Sequence, residues 1–107
     1  MFTSIGEIEQ ENRKIGHHWF DRDTMLAFGS KVYPEIYGGR LFVSSERDRG
    51  VYTSHGFAQA QGWERRRYTV RRANPDGSID DASEFGEYPS LARARRASAK
   101  LAKESTS

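Results

Sequence analysis

The sequence predicts an α+β domain of element order α-α-β-β-β-α, an antiparallel three-stranded meander packed by helices. Three observations carry that expectation. The first is a hairpin centred on Asn74-Pro75-Asp76-Gly77, with residues 64–72 and 78–85 as its arms. Pro75 presets φ for the second turn position, and Gly77 accepts the positive φ that closes the loop. The second is residues 40–46, where Leu41 and Val43 alternate with Phe42 after the break at Gly38-Gly39. Apolar residues on both sides of a strand require both faces of the sheet to be at least partly covered. The third is the C-terminal segment, where Leu91, Ala94, Ala97, Leu101 and Ala102 recur with helical spacing.

The remaining elements follow in order. Thr3 or Ser4 caps a first helix, with Glu7 three residues beyond Ser4 completing a capping box. Ile5, Ile8 and Ile15 give it a partial apolar stripe, Gly16 ends it, and residues 1–15 read as peripheral to the domain. Asp21 caps a second helix whose Met25, Leu26 and Phe28 are expected to face inward, with Gly29 and Pro34 limiting its length. Between these helices, His17-His18-Trp19-Phe20 is an aromatic cluster suited to locking them onto the sheet. In the strand before the turn, Tyr68 and Val70 favour β structure. Residues 47–62 read as a long, glycine-punctuated loop in which Val51, Tyr52 and Phe57 form either a short extra strand or exposed contacts. Pro89 and Ser90 open the last helix, which is expected to reach Lys103 and leave 104–107 frayed.

Composition narrows the class. A chain of 107 residues reads as one domain, 1–107, able to bury roughly 65% of its unfolded surface. Lys and Arg number 17 against 15 acids, and the pI is about 9.1. That balance hints at a polyanionic partner. With no cysteine there is neither a disulfide framework nor a thiolate metal site. No apolar leader segment and no run of membrane-spanning length occur, so the expected setting is the cytoplasm.

The motifs Gly16-His17-His18-Trp19-Phe20, Tyr37-Gly38-Gly39-Arg40, Phe42-Val43-Ser44-Ser45-Glu46, Arg67-Tyr68-Thr69-Val70-Arg71 and Asp76-Gly77-Ser78-Ile79, with Glu84-Phe85, resemble a family of small proteins of actinobacteriophages and their actinobacterial hosts. The likeness covers most of residues 16–102. It implies a phage or prophage gene product in a bacterial host and supplies no activity. The 47–62 connection is longer here than in that pattern.

Four constellations bear on function. Arg93, Arg96, Lys100 and Lys103 are spaced to share one helical sector opposite Leu91 and Leu101. Such a stripe either tracks phosphates or is a solvated face with cations placed favourably near a helix C-terminus. A double-stranded-RNA-binding domain also ends on a basic helix after three strands, a topological analogy only. Arg65, Arg67 and Arg71 share one face of their strand, and either bind a nucleic-acid backbone or are neutralised by Asp80 and Glu84 across the sheet. His17, His18 and His55 lack any metal-ligand spacing, so no metal and no cofactor is expected. The serines sit in no nucleophile elbow, and neighbouring Asp80 and Asp81 face opposite ways on a strand, so no catalytic residues are assigned. The reading is a non-enzymatic binding module, monomeric or homodimeric, that contacts nucleic acid through its last helix. The alternative is an effector that engages a host protein through Tyr52, Phe57 and Trp63 or through a sheet edge.

Overall fold

The computed structural model describes the chain except residues 17–19, 21, 28, 49–50, 59–61, 64 and 107, and gives backbone alone at 51, 52, 57, 105 and 106. The order is α1 (Ile5–Lys14), α2 (Arg22–Ala27), β1 (Lys31–Val32), β2 (Leu41–Glu46), β3 (Val51–Thr53), β4 (Gly56–Ala58), β5 (Arg67–Ala73), β6 (Ile79–Asp81) and α3 (Leu91–Thr106). Four strands form one antiparallel sheet in the order β1-β2-β5-β6. Between β2 and β5 in the chain, β3 and β4 pair as a separate two-stranded sheet. The α+β class and the central hairpin are as the sequence predicts. The strand count is not. β1 adds an edge beyond the three expected strands, and the supposed loop at 47–62 contains a hairpin. Strands of two or three residues are too short for alternation to register in sequence.

All six residues of β2 are buried because helices cover both sides of the sheet. On one face Phe42 and Ala73 pack with Ile5 and Ile8 of α1, Phe20 and Met25. The opposite face, which carries Leu41, Val43 and Val70 by register, meets α3. There Ala94 and Ser98 are fully buried, so small side chains let the helix lie close to the strands.

The first helix is not peripheral. Ser4 caps it, its Oγ accepting from the Glu7 amide at 3.2 Å. Its buried stripe is Ile5, Ile8, Glu9 and Asn12, an i, i+3, i+4, i+7 set in which polar residues take the last two places. The periodicity puts Ile15 in that stripe, but the helix stops at Lys14 and Ile15 turns out to 41% exposure. Glu9 is buried because it holds α2: its Oε2 accepts from the Arg22 amide at 2.9 Å, and its Oε1 lies 2.9 Å from the Arg22 guanidinium. The expected cap Asp21, the cluster His17-His18-Trp19 and Phe28 lie outside the described residues. Leu26 does not face inward but is 64% exposed. Adjacent helical positions differ by about 100°, so a helix of six residues that buries Met25 turns Leu26 away.

The central turn closes through Gly77 N–H to the Asn74 carbonyl at 3.0 Å. After β6 the chain leaves the ladder at Ala82 and rejoins β5 at the Tyr68–Tyr88 bridge. Helix α3 is capped by Ser90, whose Oγ accepts from the Arg93 amide at 3.2 Å. It continues to Thr106 rather than fraying at Glu104.

Candidate functional site

The β5 arginines are engaged by the protein itself. Register places Ser44, Glu46, Arg67, Thr69, Arg71 and Asp81 on one face of the sheet. The Arg71 side chain is 13% exposed. Its Nε donates to Ser44 Oγ at 2.9 Å, its Nη2 to Glu46 Oε1 at 3.0 Å, and its Nη1 to Asp81 Oδ1 at 2.5 Å. Glu46 also accepts from Ser44 Oγ at 2.6 Å and from Thr69 Oγ1 at 2.9 Å. Thr69 Oγ1 in turn accepts the Gly86 amide at 2.8 Å. A buried carboxylate is tolerated when partners surround it in this way. Arg67 donates to the backbone carbonyls of Gly86 and Glu87 at 2.7 and 2.8 Å, tying the 82–88 excursion down. The expected phosphate-binding stripe of Arg65, Arg67 and Arg71 therefore does not form. Neutralisation does occur across the sheet, but Asp81 and Glu46 supply it in place of Asp80 and Glu84. Only Arg65 of the three is exposed.

The α3 cations are arranged differently. Arg93, Arg96 and Lys100 are exposed and make no ion pair among the described residues. They border a shallow groove of about 530 Å³ whose other walls are Tyr88, Pro89, Ala97 and Glu87. Lys103 is exposed further along the same helix and has a partner of its own. The remaining basic residue of α3, Arg95, faces elsewhere: its Nη2 meets Glu35 Oε1 at 2.5 Å, and its guanidinium lies 5.9 Å from the Tyr33 ring centre. Helical phase thus sorts the cations into one that braces the fold and a row that meets solvent.

The tyrosines near these surfaces stay protonated. Burial raises the phenols of Tyr37, Tyr68 and Tyr88 above the ordinary 10.0. Next in size come the charge of Glu35 at Tyr37, the neighbouring Tyr33 at Tyr68, and Glu87 at Tyr88. Neutral phenols can donate a hydrogen bond to an anion beside them.

Of the aromatics read as contact residues, Trp63 is half-buried and stacks on Phe85 at 5.6 Å between ring centres. Its indole covers Gly86, so it closes the polar network and is not a free contact. The backbones of Tyr52 and Phe57 pair across β3 and β4, while their side chains lie outside the described residues. His55 is exposed in the β3–β4 turn, and His17 and His18 lie outside the described residues. Among the described residues no three His, Asp or Glu side chains converge as metal ligands. No helix among them is long and apolar enough to cross a membrane.

Sequence reasoning missed a second concavity. A cavity of about 490 Å³ opens at the end of the sheet, between the N-terminal segment, the 37–40 turn, β5 and the last turns of α3. The only local signal is Tyr37-Gly38-Gly39-Arg40, which lacks the Lys-Ser/Thr and following helix of a phosphate loop.

A family model matches residues 4–99, from the cap of α1 into the second half of α3. The chain belongs to DUF7447, a family of unknown function. The DUF7447 match takes in the whole four-stranded sheet, the Glu46–Arg71 network and most of the α3 cation row. No curated protein and no solved structure matches the chain.

Proposed function

We propose that this is a non-enzymatic binding module that holds nucleic-acid phosphates on the exposed row Arg93, Arg96 and Lys100. The observation that carries the reading is the contrast between two sets of cations. Arg67, Arg71 and Arg95 are matched by acceptors of the protein, whereas the α3 row has no ion pair among the described residues. Arg93 and Lys100 are seven residues apart, about 10 Å along a helix axis. That length spans about three phosphates of one strand. The Tyr88 ring lines the groove beside the row and offers a surface on which a base can stack. Of two serine hydroxyls that lie 2.6 Å from a carboxylate, Ser44 beside Glu46 is closed off inside the sheet and Ser78 beside Asp76 belongs to the central turn, which supports a binding role over a catalytic one. The resemblance to actinobacteriophage proteins supports a phage or prophage product acting in the host cytoplasm.

The test is fluorescence anisotropy with a labelled duplex and a labelled single strand over a salt series. Three phosphate contacts give a slope of log affinity against log salt of about −2.7 on duplex DNA and about −2.1 on a single strand. Arg93→Glu with Lys100→Glu should abolish binding at low salt while the melting curve stays unchanged. Absence of any salt-dependent binding by the wild-type protein refutes the nucleic-acid reading. The host-protein alternative then takes its place, to be pursued by affinity capture from host lysate.

A further inference from the structure

The cavity at the end of the sheet is lined by charges of both signs. Arg40 and Arg72 both line it, and neither has an ion pair among the described residues. Asp80, which stands opposite Arg72 in the β5–β6 register, instead accepts from Asn74 Nδ2 at 2.9 Å. Two acids also reach the cavity, and one of them, Glu11, is neutralised by a lysine, which leaves the two arginines facing the single charge of Glu7. Glu7 accepts from Thr3 Oγ1, and Glu11 Oε1 lies 2.7 Å from Lys14 Nζ. Phe2 and Leu41 supply an apolar wall, and Tyr37 also lines the cavity.

We propose that this cavity binds a small organic anion, its carboxylate or phosphate group held by Arg40 and Arg72 and its apolar body set against Phe2 and Leu41. The volume of about 490 Å³ falls in the range of small-molecule sites. Guanidinium groups suit both acid types because their planar fork can donate two parallel hydrogen bonds. An occupant touches segments far apart in sequence, so binding must stabilise the fold by mass action. The site is separate from the α3 row and does not depend on nucleic-acid binding.

Calorimetry and thermal melting with phenyl phosphate, phenylacetate, benzyl alcohol and inorganic phosphate test it. The expected result is heat and a raised melting temperature with phenyl phosphate, with phenylacetate, or with both, and neither effect with benzyl alcohol. Which of the two acids binds identifies the headgroup. Arg40→Ala and Arg72→Ala should each weaken binding by about tenfold or more. Arg40 is exposed, so its variant decides the matter should Arg72→Ala unfold. Arg93→Glu with Lys100→Glu should bind the same probe unchanged, which separates this cavity from the α3 groove. The proposal is overturned if neither aromatic acid binds at millimolar concentration, if inorganic phosphate or benzyl alcohol binds as well as they do, or if Arg40→Ala leaves affinity intact.

Discussion

Asn12 Nδ2 donates to the Gly77 carbonyl at 2.9 Å, joining the last turn of α1 to the tip of the central hairpin across 65 positions of sequence. The approach is close enough that a Cβ on Gly77 would lie 2.4 Å from the Glu11 carbonyl oxygen, and Gly77 has φ +97°. The glycine that makes the turn also lets the helix dock.

Gly77→Ala should therefore destabilise more than a turn glycine alone explains, by about 3 kcal/mol or more, because backbone strain and a backbone clash act together. Asn12→Ala leaves a buried carbonyl without its donor and should cost about 1–3 kcal/mol. Urea unfolding of both variants checks this. A Gly77→Ala midpoint within error of wild type would show that the helix does not sit against the turn.

Gly86 supports a second close contact. A Cβ there would fall 2.4 Å from the Trp63 ring, at φ +68°. Gly86→Ala should push the indole off Phe85, red-shift the tryptophan emission and increase its quenching by acrylamide. Trp19 contributes a background common to wild type and variant. Unchanged emission would contradict the stack.

The Glu46–Arg71 pair should behave as a buried unit. Arg71→Ala leaves the buried Glu46 carboxylate without its cation, at a cost of about 3–5 kcal/mol, whereas Glu46→Ala should cost less because Arg71 keeps Asp81. Replacing both together should cost clearly less than the sum of the two, since no buried charge is then orphaned and Asp81, which loses Arg71, is 38% exposed. A double-mutant cycle from urea melts measures the coupling. Additive costs would mean that the ion pair contributes nothing of its own.

Alkaline pH should destabilise the fold through its tyrosines. Tyr37, Tyr68 and Tyr88 hold their protons more tightly folded than unfolded, principally through burial. Above the ordinary value of 10.0 the unfolded chain ionises first, so stability present below that pH is lost as pH rises through the folded values. Absorbance at alkaline pH should show part of the tyrosine population titrating late, and Tyr68→Phe should flatten the stability profile there.

The features legible in sequence were those encoded by near neighbours. The Asn74-Pro75-Asp76-Gly77 turn, the Ser4 and Ser90 caps and the α3 stripe each depend on residues within about four positions. The exposure of Arg93, Arg96 and Lys100 was likewise implied by helical phase. By contrast, β1 was not legible as a strand, and β3 and β4 were legible only as one of two alternatives for Val51, Tyr52 and Phe57, because two or three residues carry no period. Glu9 and Asn12 look like surface residues in sequence, since nothing local shows that Arg22 and Gly77 come to meet them.

By itself, the sequence determined the α+β class, the central hairpin and the basic face of the last helix, all set by short-range stereochemistry and periodicity. Only the tertiary structure decided which arginines remain available. Arg71 finds Glu46 25 residues away, Arg67 finds the 86–87 backbone and Arg95 finds Glu35, while Arg40 and Arg72 line a cavity. The reason is physical: whether a cation is matched depends on which acceptors the fold brings within hydrogen-bond reach, and distance along the chain carries almost no information about that.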